Sequence, residues 1–263
     1  YDLIGFDPRG IGYSTPVSCG LNLREVDQVY IPLAQPGGFS ATTNLMRQTA
    51  ERCQQTSGGL LPYITTPNTA RDMEQLRLAL GEPKISYLGY SYGTALGATY
   101  ASLYPDRLDR FVLDSTVGTS WQWREQFRSW KLSDVSRWPD FANFMAANDA
   151  TYHMGNTPQA VRSKYFELFA KMDAQPITLS DGTVMNGPMF MELTFGGFYG
   201  DDFFPDTAVI WQIADGQLGT LAGSEAVLGL KRRPPTPTTP DDNSAAAGLA
   251  ILCGDTAWSR NPN

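Results

Sequence analysis

Ser91 is the residue in this sequence best placed to do chemistry. It stands midway in Gly89-Tyr90-Ser91-Tyr92-Gly93, the G-x-S-x-G spacing of a nucleophile elbow. A serine oxygen held out of a strand-to-helix turn attacks an electron-poor carbonyl. The backbone N–H of the next residue, here Tyr92, then lies at a helix N-terminus and faces the developing oxyanion. The spacing has a steric reason. A strand that turns into a helix around one residue holds that residue in a strained conformation, and the backbones two positions either side pass almost in contact, so Gly89 and Gly93 carry no side chains. The bare five-letter pattern also arises by chance, and the flanks are what separate the two cases. An apolar β-run, Ile85 to Leu88, precedes it, and a segment made thin by Ala95, Gly97 and Ala98 follows.

The elements needed to position that serine can be read outward from it. Tyr1 to Asp7 has the pattern of a β-strand, and Asp7-Pro8-Arg9-Gly10-Ile11-Gly12-Tyr13-Ser14-Thr15-Pro16 is dense enough in Gly and Pro to be a tight loop leaving its carboxyl end, where open α/β sheets place ligands. Asp7 and Arg9 are read as a structural ion pair holding that loop rather than as catalytic groups. A helical stretch is expected around Ala41 to Gln55, and a clear helix from Thr69 to Leu80, capped by Asn68 or Thr69, with Met73, Leu76 and Leu80 on one face and Gly81 and Pro83 ending it. Strand, helix, strand (Ile85–Leu88), elbow helix (Tyr92–Tyr104) and strand (Arg110–Leu113) form a β-α-β-α-β run, which argues for a parallel sheet. Asp114, closing the third strand, is read as a turn-former rather than the partner of a catalytic histidine.

From about Gly118 the character changes. Trp121, Trp123, Phe127, Trp130, Trp138, Phe141, Phe144, Tyr165, Phe166, Phe169, Met189, Phe190 and Met191 recur at helical spacing without strand rhythm, punctuated by Gly196, Gly197 and Gly200. Several must be helix-packing residues, yet their density is also what a lid over an apolar or peptide-sized cleft needs. Asp201 and Asp202 follow, by default a solvated loop, alternatively a receptor for a substrate ammonium. Lys231 to Asp242 is too proline-rich for regular structure and reads as an exposed loop.

Composition bounds the rest. The 263 residues are 42% hydrophobic and 18% charged with net charge −7, a globular balance with no basic stripe, which argues against a nucleic-acid partner. No apolar run reaches membrane-spanning length, and no His/Cys/carboxylate cluster has metal-ligand spacing, so neither a metal nor an organic cofactor is expected. The cysteines, Cys19, Cys53 and Cys253, leave two readings: three reduced thiols, or one disulfide plus a cysteine whose partner lies elsewhere. His153 is the one histidine. It lies in the aromatic region and is read as a surface or packing residue rather than a general base.

Taken together, Gly5-Phe6-Asp7-Pro8-Arg9-Gly10 with Gly12-x-Ser14-Thr15-Pro16, Thr66-x-x-Thr69-Ala70-Arg71-Asp72, Ile85 through Thr94, and Ala250-Ile251-x-Cys253-x-Asp255 resemble the secreted tripeptidyl aminopeptidases of actinomycetes, α/β-hydrolase serine peptidases related to the proline iminopeptidases. The resemblance is dense over residues 1 to 116 and thin through the aromatic segment. It implies an α/β-hydrolase fold, a mostly parallel sheet with helices on both faces, and a mainly helical cap inserted after the sixth strand, with the N- and C-terminal parts of the fold outside this chain. The expected layout is core over 1–117, cap over 118–245 and a return to the core over 246–263. The resemblance further implies that Cys19 pairs with Cys53 and Cys253 with a cysteine downstream, that the protein is secreted or on the cell surface of a bacterium, and that the acid and histidine come from a remaining segment of the same enzyme.

Three functions follow as expectations. The first is a serine peptidase that removes tripeptides from free N-termini through an acyl-enzyme on Ser91, this chain alone being inactive. The second is a carboxylesterase or lipase on the same scaffold. The third is a non-catalytic binding fragment, against which stands the cost of about 1–3 kcal/mol for keeping an unused strained serine.

Overall fold

The computed structural model describes residues 2–22, 25–26, 29, 38–118, 123–180, 184–219 and 239–258. In chain order its elements are α1 (Gly38–Ser57), α2 (Thr66–Ala79), β1 (Ile85–Tyr90), α3 (Tyr92–Leu103), β2 (Leu108–Asp114), α4 (Arg124–Ala147), α5 (Asp149–Tyr152), α6 (Pro158–Ala174), β3 (Ile177–Thr178), β4 (Val184–Met185), α7 (Gly187–Gly196), α8 (Phe204–Asp215) and α9 (Asn243–Gly254). They divide into two compact units. One takes in Tyr1–Val26, Leu45–Ser129 and Pro235–Asn263, the other Asp27–Asn44 and Trp130–Pro234.

In the first unit β1 and β2 pair in parallel, with Tyr87 opposite Phe111 and Tyr90 opposite Asp114. Parallel pairing requires a crossover, which α3 supplies. One face of the pair is apolar and packed: Tyr87 and Phe111 meet at 5.2 Å between ring centres, Tyr100 of α3 stacks on Phe111 at 5.9 Å, and Ala70, Met73 and Leu96 complete the cluster. The other face keeps Leu88, Tyr90 and Val112 exposed.

The expected strand at Tyr1–Asp7 is not among the strands. Residues 2–7 carry no ladder, and Leu3 is 98% exposed. Strand-like composition makes a strand only when a neighbour accepts its hydrogen bonds, and no described strand lies against this segment. Helix α2 begins at Thr66, earlier than expected, because Thr65 is the cap: its backbone is extended, its side chain accepts from the Asn68 N–H, and Pro67 sits in the first turn. Its buried face is also not the expected one. Met73 is buried but Leu76 and Leu80 are exposed, since the inward arc runs through Thr66, Thr69, Ala70, Glu74 and Arg77. That arc holds an ion pair. Arg77 donates to both Glu74 oxygens, at 2.9 and 2.6 Å, and the Tyr100 hydroxyl donates to Glu74 at 2.9 Å, tying α2 to α3. Hydrogen bonding from Arg77 lowers the Glu74 pKa, and burial pushes Tyr100 up to about 12.

The loop from Asp7 to Leu21 is held by groups that are distant in sequence. Arg9 forms a two-pronged bridge to Asp72, at 2.6 and 2.5 Å, and donates to the Tyr63 carbonyl, while Asp7 accepts from the Tyr13 N–H at 2.8 Å. Arg9 holds this loop through an ion pair, but its partner is Asp72 rather than the expected Asp7. At the loop's far end Cys19 and Cys53 form a disulfide, which closes a loop worth on the order of 3–4 kcal/mol in chain-entropy terms. Asp242 is buried there and accepts from the Ser18 hydroxyl and the Cys19 and Leu21 N–H groups at 2.7, 2.7 and 3.0 Å. Next to it, Asn243 donates to the Gly10 and Val17 carbonyls and accepts from the Gly12 N–H. The expected exposed loop Lys231–Asp242 is therefore wrong at its end. Residues 231–238 lie outside the described residues, but Asp242 is a buried clamp, since a carboxylate offers the acceptors that these amides need.

The second unit is an aromatic core. Phe141 of α4, Tyr165 of α6, Phe190 of α7 and Trp211 of α8 are all buried, with ring centres 5.4–5.8 Å apart for the pairs Phe141–Trp211, Phe190–Trp211 and Tyr165–Trp211. The Trp211 indole donates to the Thr194 hydroxyl at 3.0 Å, the partner a buried indole needs. A short hairpin, β3 with β4, interrupts the helices, although no strand was expected in this region.

Candidate active site

Ser91 occupies the turn between β1 and α3, with φ 50° and ψ −119°. A non-glycine residue with this backbone costs about 1–3 kcal/mol and persists only when its surroundings enforce it. They do. The Ser91 N–H is held by the Asp114 carbonyl at 3.0 Å, and the Ser91 carbonyl accepts from the Thr94 N–H and hydroxyl at 2.9 and 2.6 Å. Thr94, fully buried, accepts in turn from the Val117 N–H at 2.9 Å. Asp114 thus serves the site through its backbone, and the following residue, Ser115, also has a positive φ of 60°. Ser91 itself is exposed, and its hydroxyl makes no hydrogen bond among the described residues.

The flanking glycines are not equivalent. A Cβ on Gly89 would stand 2.6 Å from the Gly93 carbonyl oxygen and 2.6 Å from the Tyr87 ring, closer than packed atoms approach. A Cβ on Gly93 would meet the Tyr87 hydroxyl at 3.4 Å, an ordinary contact. Steric need therefore accounts for Gly89 and corrects the expectation for Gly93. Gly97 is required as well, since a Cβ there would reach the Tyr87 ring at 2.5 Å and Leu113 at 2.8 Å.

Tyr92 opens α3, so its N–H is among those a helix leaves without an internal partner. Its side chain is tied down on the other side. The hydroxyl bonds Thr66 Oγ1 at 2.7 Å, the ring lies 5.9 Å from that of Trp123, and burial pushes its pKa up to about 12. Trp123 is buried and its indole N–H has no hydrogen-bond partner among the described residues. By sequence Trp123 belongs with the aromatics of the expected lid, but in the fold it packs with Tyr92, Ala95 and Val117 beside the elbow. Trp121 lies outside the described residues.

The remaining candidates belong to the second unit. Asp201 pairs with Arg137, which also binds Asp140 at 2.7 Å and lies over the Phe204 ring at 5.2 Å. Asp202 is exposed without an ion-pair partner among the described residues. His153 is the left-handed C-cap of α5, with φ 56°, and is exposed. Trp138, Tyr165, Phe166 and Phe195, with Asp134 and Arg162, line an open cavity of about 330 Å³. Cys253 is free and exposed. Among the described residues no group of three or more His, Cys, Asp or Glu is arranged to hold a metal, and no helix is long and apolar enough to cross a membrane.

Comparison with known proteins agrees with this geometry. The chain is similar to the tripeptidyl aminopeptidase of Streptomyces lividans, 36% identical over 272 residues, which cover 99% of this chain and 48% of the relative. It thus spans about half the length of that protein. The serine protease Hip1 of Mycobacterium tuberculosis is 38% identical over 124 residues, 44% of this chain and 23% of the relative. Carboxylesterase B of the same species is 40% identical over 83 residues, 30% of this chain and 16% of the relative. A family model described as alpha/beta hydrolase fold matches residues 1–213. With that match, and a serine held at a strained strand-to-helix turn beside a parallel strand pair, the chain belongs to the α/β-hydrolase fold family.

Proposed function

We propose that the intact protein is a serine peptidase that removes short peptides, tripeptides in particular, from free N-termini. The observation that carries this is the Ser91 backbone, held in a costly conformation that leaves the hydroxyl exposed and without a hydrogen bond among the described residues. In the reaction Ser91 Oγ attacks the scissile carbonyl carbon and gives its proton to an imidazole base. The carbonyl oxygen becomes an oxyanion and accepts from the Tyr92 N–H. Collapse returns the electron pair, the base passes the proton to the leaving amine, and the acyl-enzyme on Ser91 is released by water along the same path.

His153 is the left-handed C-cap of α5, and the chain order of this fold, serine, then acid, then a late histidine, assigns the base and its acid to polypeptide outside this sequence. That the chain spans about half the Streptomyces relative supports this assignment. For the substrate ammonium, Asp202 is favoured over Asp201, whose charge Arg137 already offsets. The Cys19–Cys53 disulfide supports an oxidising, extracellular setting. The partial likeness to Carboxylesterase B sustains esterase action as a second reading. Turnover of a tripeptide p-nitroanilide by the intact protein, abolished by Ser91→Ala together with fluorophosphonate labelling, is the expected result. Turnover of short-chain nitrophenyl esters alone would leave the esterase reading, and no labelling at Ser91 would end both.

A further inference from the structure

Three elements converge beneath the elbow through three side chains. Thr66 is the first residue of α2, Tyr92 the first of α3, and Asp255 follows the last residue of α9. Asp255 accepts from the Thr66 N–H at 2.8 Å with one oxygen and from the Thr66 hydroxyl at 2.5 Å with the other. The threonine's only hydroxyl proton is thereby committed to the carboxylate. Its oxygen can therefore only accept from Tyr92 at 2.7 Å, and the chain runs in one direction, from Tyr92 O–H to Thr66 O–H to Asp255. Thr66 is 1% exposed, the Tyr92 ring lies 5.9 Å from that of Trp123, and Ile251 and Leu252 of α9 pack against the same cluster of Ala95, Val117 and Trp123.

The tether reaches the first residue of α3, the one that directly follows Ser91 and whose backbone N–H is the expected oxyanion donor. A helix-to-helix anchor elsewhere on α3 already exists, the Glu74–Tyr100 bond, so packing α3 does not need a second one at its first residue. We propose that Thr66 and Asp255 are positioning residues of the hydrolytic reaction: through the Tyr92 hydroxyl they fix the direction of the Tyr92 N–H toward the oxyanion. This rests on the assignment of Ser91 as nucleophile. An oxyanion donor works only when it is aimed beforehand, at about 2.7–3.1 Å from where the charge will develop, and a hydroxyl bonded to a fixed partner limits the rotation of the residue that carries it.

The test uses the intact protein and the variants Tyr92→Phe, Thr66→Val, Thr66→Ser, Asp255→Asn and Tyr92→Phe/Thr66→Val. Turnover of a tripeptide p-nitroanilide is expressed per site titrated with a fluorophosphonate. Inhibition is compared for a peptide aldehyde, which forms an oxyanion on Ser91, and the matching alcohol, which cannot. The expected result is a fall in kcat of roughly tenfold or more with KM nearly unchanged, since misaim affects the transition state alone. Aldehyde affinity falls by the same factor while alcohol affinity holds, Thr66→Ser restores the rate, and the double variant is no worse than Tyr92→Phe. A melting-temperature loss with kcat unchanged would overturn the proposal, as would a loss confined to KM or multiplicative losses in the double variant. Ser91→Ala is the separate control: activity retained there sinks the nucleophile assignment itself, whatever the tether variants do.

Discussion

The two glycines of the elbow are interchangeable in the motif and different in the structure, which gives a sharp test. In Gly89→Ala the new methyl would sit 2.6 Å from the Gly93 carbonyl oxygen, 2.7 Å from the Gly93 carbonyl carbon and 2.6 Å from the Tyr87 ring. Two of these contacts are backbone of the first helical turn, so relief requires β1 and α3 to separate. Overpacking of this kind costs about 1–3 kcal/mol, or roughly 2–12 °C at 2–4 °C per kcal/mol for a domain of this size. In Gly93→Ala the methyl meets only the Tyr87 hydroxyl at 3.4 Å, and that hydroxyl keeps its 2.7 Å bond to the Gly93 carbonyl. Replacing a helical glycine by alanine then gains up to about 0.5–1 kcal/mol. Calorimetric melting with fluorophosphonate labelling of Ser91 measures both effects. Gly89→Ala should melt lower and label slowly, while Gly93→Ala should melt at or above the parent temperature and label normally. Equal destabilisation by the two, or an unperturbed Gly89→Ala protein, would refute the claim that β1 and α3 touch at this turn.

Further outcomes follow from the same geometry. Ser91→Gly relieves the φ 50° backbone and should raise stability by about 1 kcal/mol net of glycine's added chain entropy, with labelling abolished; chemical denaturation decides. Asp242→Ala strips the buried Cys19 and Leu21 amides of their acceptor and should cost about 2–4 kcal/mol, read as a shifted urea midpoint with unchanged slope. Asn243→Asp should destabilise more than Asn243→Ala at neutral pH, because it aims a carboxylate at the Gly10 and Val17 carbonyls; paired melting curves test the order. Burial raises the Tyr92, Tyr100 and Tyr165 hydroxyls from 10 to about 12. Their folded pKa lies above the unfolded one, so the stability they contribute is full below pH 10 and is lost as pH rises toward about 12. Denaturation midpoints should fall across that window, and less so in Tyr165→Phe.

The sequence by itself determined the parts of this protein that depend on neighbours in the chain. An apolar run, a serine between glycines and a small-residue segment specify β1, the elbow and α3, because strand period, helix period and the sterics of one tight turn are all local. The tertiary structure decided where distant polar groups found partners. Nothing near Arg9 in sequence names Asp72. Asp242 reads in sequence as the end of an exposed proline-rich loop, and nothing in sequence singles out Asn243; in the fold the two meet the amides and carbonyls of residues 10–21. The aromatic region was legible as helical, but that Trp211 sits at its centre had no signal beyond composition. Likewise the Thr66–Tyr92–Asp255 chain joins residues 26 and 189 positions apart. Burial makes an unpaired polar group costly, and only the folded chain determines which donor and acceptor are brought close enough to avoid that cost.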